Sequence, residues 1–532
     1  MTVNINANII TESWLNSKPR SYAKDFYIWQ FLQQNITSNQ AAKILRKVKN
    51  VNNKILFSYA KKLQDTQVLN IIKCMKYNTK TLVNQNSSCI DIGLSIYDMT
   101  KLNKKELNKV YNLLKKDYPQ KASQVNIIRS NKPFELLISS DKNLFFDIFN
   151  NCGSIYREKY LNYEIYLNKI NKLIEDKRFQ QTIKLIVTNS KLINLHKSLI
   201  NIDDNKLPHI SSFFLALNSI KYNNKKSISK YLNNAYKKSY YQFDKDKTIF
   251  WKYLIYKDIN DLRKLSKSWD INIYSIYAKE KLDVNITNVV YNIQPSKKIT
   301  KLNNNREKYI SSDPFFWLSI LKKSKNIHKQ NIMNYEKKLY YINTLPHLSL
   351  LYERYYKYKK SYFIMPFIEY MKQYDKNRQS LIYAIGRQES RFIQSSISTS
   401  YAMGVMQIMP FLSKAIAKEL DLKYDIMDQL KAKHNLKYAN HHLNYLERKF
   451  KNPLLIAYAY NGGIGFTMRL LKKGFFNKNG SYKRFEPFLS MELLPYDETR
   501  KYGKKVLANY YIYSNYINNK LKIKTLFENI MK

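Results

Sequence analysis

Glycine is distributed very unevenly along this chain of 532 residues. Of its ten glycines, only Gly93 and Gly153 precede residue 385, and the other eight follow it. Glycine is disfavoured in helix interiors, whereas tight turns and close approaches to a ligand require it. The first two-thirds of the chain is therefore predicted to be a helical scaffold. The last third is predicted to carry the shaped loops.

Apolar residues in the scaffold recur with the spacing of amphipathic helices. The stretches 26–32, 179–187 and 250–255 each place apolar side chains on one helical face. Thr37 and Gln40 have the spacing of a capping box at the start of a further helix. Successive amphipathic helices joined by short turns stack into a solenoid or superhelix, so we expect an all-α chain. No fixed repeat period is visible.

A more interrupted stretch separates the scaffold from the glycine-rich part. It is marked by prolines at Pro295, Pro314, Pro346 and Pro366. We place a connecting region near residues 286–362, because proline interrupts helices at these points.

The chain is strongly basic, with 91 Lys and Arg against 40 Asp and Glu and a formal net charge of +51. Such a field favours polyanions, which include nucleic acid, anionic lipid and cell-wall glycan with its peptide carboxylates. The lysines are spread along the chain, and the abundance of Lys, Asn, Ile and Tyr is typical of compositional drift. The charge therefore permits these partners without selecting one. No run approaches the roughly 18 apolar residues of a membrane-spanning helix.

The cysteines and the N-terminus leave the compartment open. A disulfide between Cys74 and Cys89 would close a short loop and add about 3 kcal/mol, and unpaired thiols fit the sequence equally well. No Cys or His spacing resembles a zinc site, so we expect no metal and no cofactor. The first twenty residues lack the basic start and apolar stretch of a signal peptide. Either the protein is cytoplasmic or the chain begins after a removed leader.

One acidic residue stands alone in the segment 384–410. Glu389 shares a helical face with apolar residues that include Ile385 and Phe392. A carboxyl desolvated by apolar neighbours has a raised pKa, and a neutral carboxylic acid near pH 7 can act as a general acid. The two arginines that flank it, at i±2, are expected to project to the sides. For this residue taken alone, a buried glutamate satisfied by local hydrogen bonds is the alternative.

Three further stretches follow Glu389. In "MGVMQIMP" the methionines supply an adaptable apolar wall, and the amide of Gln407 offers a donor and an acceptor for sugar hydroxyls or acetamido groups. In "AYAYNGGIG", Tyr460 and Asn461 precede two glycines. In "MELLPYDETRKYGKKVLANY", Glu492 precedes a loop broken by proline.

Together and in this order, these stretches resemble the catalytic domain of the soluble lytic transglycosylases, enzymes that cleave bacterial peptidoglycan. "RQES" is similar to the Glu–Ser motif of that family, "MGVMQIMP" to its Gly-Leu-Met-Gln-Ile-Met-Pro motif and "AYNGG" to its Ala-Tyr-Asn-Ala-Gly motif. The segment "ELLPYDETRKYGKKVL" resembles the one that closes the domain. The resemblance implies a mainly all-α fold: a ring-like helical superhelix at 1–285, a helical linker at 286–362 and a lysozyme-like catalytic domain at 363–532.

The resemblance also implies the site, with Glu389 as the sole catalytic acid and base. The residues expected to line the glycan groove or to orient its N-acetyl groups are Ser398, Gln407, Met409, Tyr460, Asn461 and Glu492. An ion pair with Arg500 is the alternative for Glu492. The chain departs from the family pattern at Tyr401, Val405, Gly462 and Gly503, where the family commonly has Gly, Leu, Ala and Val. These departures bear on glycan preference and not on the acid.

The activity implied is cleavage of the bond between N-acetylmuramic acid and N-acetylglucosamine, with formation of a 1,6-anhydro sugar. Peptidoglycan strands with peptide stems would be the substrate, and cell-wall synthases are candidate protein partners. The resemblance further implies a periplasmic monomer without a transmembrane segment or a nucleic-acid partner. Two alternatives stay open at this point: a hydrolytic muramidase like the goose-type lysozymes, and a basic helical scaffold that binds nucleic acid.

Overall fold

The computed structural model describes residues 9–294, 310–477, 479, 483–518 and 521–531. This part of the chain is mainly helical. Its two short strands, Val289–Val290 and Ser361–Tyr362, pair in parallel. The predicted all-α fold class is confirmed. No helix within the described ranges has both the length and the apolar character needed to cross a bilayer.

The chain divides into two compact units, one formed by Gln64–Asp261 and the other by Met1–Leu63 together with Leu262–Lys532. The predicted boundaries at residues 285 and 362 stay predictions. Residues 295–309, which include Pro295 of the predicted linker, lie outside the described residues.

The unit Gln64–Asp261 consists of short helices joined by tight turns. Its helices are Thr66–Lys76, Thr79–Leu82, Ser87–Gly93, Ile96–Met99, Lys104–Leu114, Pro119–Arg129, Pro133–Ser139, Lys142–Asn151, Ser154–Tyr160, Leu167–Ile174, Phe179–Val187, Ile193–Ser198, His209–Lys221, Lys225–Lys238 and Gln242–Tyr256. A further helix, Ile259–Ser266, crosses the border to the other unit. The apolar stripes predicted at 179–187 and 250–255 lie on two of these helices, and Phe179 and Phe250 are buried in the core.

Cys74 and Cys89 form a disulfide in this unit, which decides between the two states that the sequence left open. Cys152 is a buried free thiol, and burial raises its pKa to about 11. A thiol with so high a pKa is almost entirely protonated and therefore a poor nucleophile at neutral pH.

The other unit contains the N-terminal helices and the last half of the chain. Its helices are Glu12–Asn16, Tyr22–Phe31, Ser38–Leu45, Asn53–Leu63, Ile273–Lys281, Pro314–Lys323, Lys329–Leu339, Leu345–Tyr355, Ile368–Met371, Lys376–Glu389, Pro410–Glu419, Ala432–Lys449, Pro453–Gly462, Ile464–Lys472, Phe488–Leu493, Asp497–Ile517 and Ile523–Glu528. Three 3₁₀ helices are Ile426–Leu430, Lys483–Phe485 and Asn529–Met531. The predicted capping box is present: the Thr37 hydroxyl accepts from the Gln40 backbone N–H, and the Thr37 N–H donates to the Gln40 side chain.

An aromatic cluster joins the N-terminal helices to a loop in the last third of the chain. Tyr401 is fully buried and stacks on Trp29, with ring centroids 5.5 Å apart. Phe26 meets the same ring edge-on at 5.7 Å, and Lys54 Nζ donates to the Ser400 carbonyl at 2.9 Å. Tyr401 has φ +69°, a left-handed conformation that favours glycine. This conformation explains why glycine is common at this position in the family, whereas the packing of the ring on Trp29 and Phe26 favours tyrosine in this chain.

Candidate active site

Glu389 is the last residue of helix Lys376–Glu389. The side chain is half-buried, and the apolar residues Ile385 and Phe392 on the same face are buried. Gly386 lies one turn before it, where a Cβ would come within 2.8 Å of the Phe392 ring and 3.1 Å of the Met406 sulfur. Glycine at this position therefore lets the "MGVMQIMP" loop pack directly against the helix end.

The surroundings of Glu389 favour its neutral form. Burial raises the pKa of this carboxyl from its ordinary value of 4.5 to about 7. The Tyr502 hydroxyl opposes this by donating a hydrogen bond to Oε1 at 2.7 Å, while the charge of Glu498 raises the pKa further. Protonated and ionised forms are thus both populated near neutral pH, as an alternating acid and base requires.

The two arginines beside Glu389 point away from it, as the i±2 spacing predicts. Arg387 and Arg391 both donate to Oε1 of Glu353, at 2.8 and 2.9 Å. Arg387 also donates to the Tyr362 carbonyl, and its guanidinium lies 3.8 Å from the Phe363 ring centre. Both positive charges are therefore compensated by a carboxylate other than Glu389.

The "MGVMQIMP" loop is held by hydrogen bonds to its neighbours. The Ser390 hydroxyl donates to the Val405 carbonyl at 2.6 Å. Asn435 accepts from the Met406 N–H at 2.7 Å and donates to the Met403 carbonyl at 3.0 Å. Gly404, with φ +78°, has no space for a side chain, because a Cβ would lie 2.1 Å from a backbone oxygen. The loop therefore has one well-defined path beside Glu389.

Five of the six predicted groove residues are half-buried: Ser398, Gln407, Met409, Tyr460 and Asn461. Gln407 differs from expectation in one respect. Its Nε2 donates to the carbonyls of Ser396 and Gly404, at 3.1 and 2.9 Å. Since both of its N–H groups are directed to the loop, the amide oxygen is the group left for a ligand.

Ser398 and Met409 have roles in shaping the chain. The Ser398 hydroxyl accepts from the Ala402 N–H at 2.9 Å and so closes the turn that holds Tyr401. Met409 is the N-cap residue of helix Pro410–Glu419. Both positions fix the loop next to Glu389.

Tyr460 lies close to Glu389, although Tyr502 makes the direct contact with its carboxyl. The Tyr460 hydroxyl donates to the Met406 carbonyl at 2.7 Å. Burial, together with the charge of Glu389, raises the pKa of Tyr460 well above its ordinary value. The His442 ring packs 5.7 Å from the Tyr460 ring. Tyr460 thus ties the "AYNGG" segment to the loop.

The Asn461 side chain is bound to the closing helix Asp497–Ile517. Its Nδ2 donates to Glu498 at 3.0 Å, and its Oδ1 accepts from the Thr499 hydroxyl at 2.7 Å. Asn461 therefore positions Glu498, the carboxylate whose charge raises the pKa of Glu389.

Glu492 occupies a different environment from the other predicted residues. Only 2% exposed, it forms a buried ion pair with Lys504 at 2.7 Å and accepts a hydrogen bond from the Tyr274 hydroxyl. Arg500, the alternative partner expected from the sequence, pairs with Asp497 and donates to the Leu494 carbonyl. A buried and paired carboxylate is not presented to a glycan, so any influence of Glu492 on substrate passes through its neighbours.

Two residues at the site, Tyr502 and Glu353, were not predicted from the sequence. Tyr502 lies in the closing segment, and the family-like "ETRKY" stretch marked its location. Glu353 has no such signal, because it precedes the stretch of family resemblance. Within the described ranges, no group of three or more His, Cys, Asp or Glu side chains is arranged to hold a metal ion.

The part of the chain that contains Glu389 matches a known family model. Residues 365–481 match the family model of the transglycosylase SLT domain. The chain carries a transglycosylase SLT domain. All the predicted site residues except Glu492 lie inside the matched range.

The chain also resembles curated relatives over part of its length. Over 145 residues, 27% of this chain, it is 32% identical to the soluble lytic murein transglycosylase of Salmonella typhimurium. It is 31% identical to the Escherichia coli enzyme of the same name over the same length. The aligned stretch spans 21% of each of these relatives.

The likeness of fold extends beyond the SLT domain. It covers 96% of this chain and 84% of a 70-kDa soluble lytic transglycosylase solved in complex with bulgecin A, with a TM-score of 0.52. The sequence identity is 15%, so this likeness concerns the fold.

Proposed function

We propose that this protein is a peptidoglycan lytic transglycosylase. It cleaves the β-1,4 bond between N-acetylmuramic acid and N-acetylglucosamine and leaves 1,6-anhydro-muramic ends. The observation that carries the proposal is Glu389, a half-buried carboxyl with a pKa of about 7 inside an SLT domain. The two curated relatives that the chain resembles over 145 residues bear the name of that activity.

In the first step, protonated Glu389 gives its proton to the bridging oxygen, and the bond to the anomeric carbon breaks. The substrate's own acetamido group stabilises the positive charge at that carbon. A glycosidase that stabilised this positive charge with a second carboxylate would need that carboxylate on the side of the sugar opposite the general acid. The segment around Glu389 supplies no other acid between residues 384 and 410.

In the second step, ionised Glu389 takes the proton of the muramic acid 6-hydroxyl, whose oxygen bonds to the anomeric carbon. The proton returns to Glu389, and no water is consumed. The Tyr502 hydroxyl stabilises the ionised form through its hydrogen bond to Oε1. The attack is intramolecular, so proximity contributes to the rate without a water molecule to position.

Ser398, Gln407, Met409, Tyr460 and Asn461 are assigned to the groove wall. The Gln407 amide oxygen is the acceptor for a sugar N–H or hydroxyl, because its nitrogen is bonded to the loop. Glu492 acts indirectly, through Lys504 and the end of the closing segment.

The net charge of +51 supports retention of glycan strands that carry peptide carboxylates. Binding to sacculi is expected to weaken steadily as salt is added, because salt screens exposed charges. Binding that does not respond to salt would remove this part of the proposal.

The proposed location is the periplasm, where the substrate lies. The Cys74–Cys89 disulfide supports it, since disulfides persist in oxidising compartments and are rare in the cytosol. We further propose that the protein acts as a monomer and that cell-wall synthases are its candidate partners. Light scattering tests the monomeric state. Co-purification with a cell-wall synthase tests the proposed partner.

The test of the activity is digestion of purified sacculi by wild type and by Glu389→Gln, with mass analysis of the released fragments. Fragments one water lighter than hydrolysis products are expected from wild type, and none from the variant. A matched control is Glu419→Gln, which removes an exposed carboxylate of the SLT domain paired with His441. Fragments of full mass from wild type would instead identify a hydrolytic muramidase.

A further inference from the structure

Arg387 and Arg391, the cations nearest to Glu389 in sequence, both bind one oxygen of the Glu353 carboxylate. Oε1 of Glu353 accepts from Arg387 at 2.8 Å, from Arg391 at 2.9 Å and from the Tyr362 N–H at 3.0 Å. Glu353 is 2% exposed, and its Oε2 is buried without a hydrogen-bond partner in the described chain. Both arginines therefore share a single buried anionic oxygen.

The two arginines differ in what else restrains them. Arg387 is buried and also bonds to Asn509 Oδ1, at 3.1 Å, and to the Tyr362 carbonyl. The Arg391 side chain is 32% exposed, and Glu353 is its ion-pair partner. Arg391 is therefore the cation that loss of Glu353 would release.

Several other charged and titratable groups face this cluster. Asp270 lies near both arginines and near Lys505, and burial raises the pKa of Asp270 while the three cations act to lower it. Tyr513 packs near Arg387. On the other side, the groups that face Glu389 are Tyr502, Glu498 and Tyr460.

Glu353 belongs to helix Leu345–Tyr355, which precedes the matched SLT range of 365–481. The compensating charge is thus supplied by a part of the chain outside the segment that carries Glu389 and its motifs. A guanidinium within about 4–6 Å of a carboxyl stabilises the charged form and lowers the pKa of the carboxyl by roughly 1–3 units. A released Arg391, two residues from Glu389, would act in this direction.

We infer that Glu353 is a positioning residue for the proposed reaction: it binds Arg387 and Arg391 through one oxygen and so holds both guanidinium groups away from the Glu389 carboxyl. The inference rests on the proposed function, in which Glu389 must carry a proton to start the reaction. Glu353 touches neither substrate nor the reacting atoms and acts through the arginines alone.

The test is the pH profile of kcat/KM for release of anhydro-muropeptides by wild type and Glu353→Gln. The alkaline limb reports the proton on Glu389. In Glu353→Gln we expect the alkaline limb to shift to lower pH by about one unit. This shift corresponds to about a tenfold loss of kcat/KM on the alkaline side. Much of the wild-type rate should be kept at pH 5. The double variant Glu353→Gln/Arg391→Gln should return the limb toward its wild-type position.

Glu447→Gln is the matched control. Glu447 forms an ion pair with Arg378 at 2.5 Å. Arg378 lies in the same helix as Glu389, more than two turns before it. Loss of this pair removes an ion pair from the helix without releasing an arginine beside Glu389. The alkaline limb of this variant should not move.

A loss of rate in Glu353→Gln that is equal at all pH values would overturn the inference, because it would mean that Glu353 only supports the fold. Titration of the Glu389 carboxyl by carbon-13 NMR, assigned with Glu389→Gln, supplies a measurement independent of activity. If Glu353→Gln does not fold, Glu353→Asp, whose shorter side chain reaches both arginines less well, should lower the Glu389 pKa in the same direction. An unchanged pKa would refute the inference. Absence of anhydro products from wild type would refute the proposed function instead.

Discussion

The Tyr502 hydroxyl donates a hydrogen bond of 2.7 Å to Oε1 of Glu389, from a residue 113 positions later in the chain. Burial raises the pKa of Tyr502 well above its ordinary value, so the hydroxyl stays protonated throughout the pH range of the reaction. Tyr502 is therefore a permanent donor, and it stabilises the state in which Glu389 has given up its proton.

Tyr502→Phe is expected to raise the pKa of Glu389 above its value of about 7. A hydrogen bond to a charged group is worth about 1.5–3 kcal/mol, so a shift of roughly one unit follows for this half-buried pair. The alkaline limb of kcat/KM should move to higher pH, and the maximal rate should fall because ionised Glu389 is less stable. Muropeptide release measured between pH 5 and 9 checks this, and a limb that stays in place would contradict it.

Glu389→Gln should stabilise the protein at alkaline pH while abolishing activity. In wild type the folded pKa of about 7 exceeds the ordinary value of 4.5, so the folded state binds more protons between these values. Wild type therefore loses stability as pH rises through this window, by roughly 3 kcal/mol when complete. Gln does not titrate. Urea unfolding should show that the variant is more stable than wild type at pH 8. The difference in unfolding free energy between the two proteins should be smaller at pH 4. A difference that is equal at both pH values would contradict the prediction.

Tyr401→Gly, which installs the residue common in the family, should destabilise the unit by roughly 2–3 kcal/mol. Loss of a buried aromatic ring costs about 3–5 kcal/mol, and relief of the left-handed conformation returns about 1–2 kcal/mol. Tyr358→Gly is the matched control, because Tyr358 has φ +61° but is 46% exposed. That variant should stay within about 1 kcal/mol of wild type in chemical denaturation. Equal effects of the two substitutions would mean that the contact with Trp29 adds no stability.

Removal of the disulfide by Cys74→Ser/Cys89→Ser should lower the unfolding free energy of the unit Gln64–Asp261. With a sequence separation of 15 between the cysteines, the expected loss is about 3 kcal/mol. The pH profile of muropeptide release should not change, since Glu389 belongs to the other unit. Reductant should lower the unfolding midpoint of wild type and leave that of the double variant unchanged.

The sequence predicts the helices best where local signals agree. Thr37 and Gln40 cap the predicted helix, and the stripe at 179–187 is a helix of the same bounds. The solitary Glu389 among apolar residues predicts its raised pKa, because both depend on neighbours within one helix face. These features are determined by residues close in sequence.

Contacts across long separations could not be predicted in this way. The choice of Tyr502 over Tyr460 as the donor to Glu389 depends on how the closing helix packs. The burial of Glu492 against Lys504 and Tyr274 depends on a residue 218 positions away. The charge of Glu353 beside Arg391 likewise could not be predicted from the spacing, since the two residues are 38 positions apart in the chain.

The packing of Trp29 against Tyr401 has a consequence for biosynthesis. At about 5–20 residues per second, the ribosome needs about 20–75 s to travel from the first of these residues to the second. During that interval the aromatic side chains of the nascent N-terminal helices lack the ring that completes their core. The core of these N-terminal helices therefore stays incomplete, with its aromatic side chains accessible to chaperones, until residue 401 has been translated.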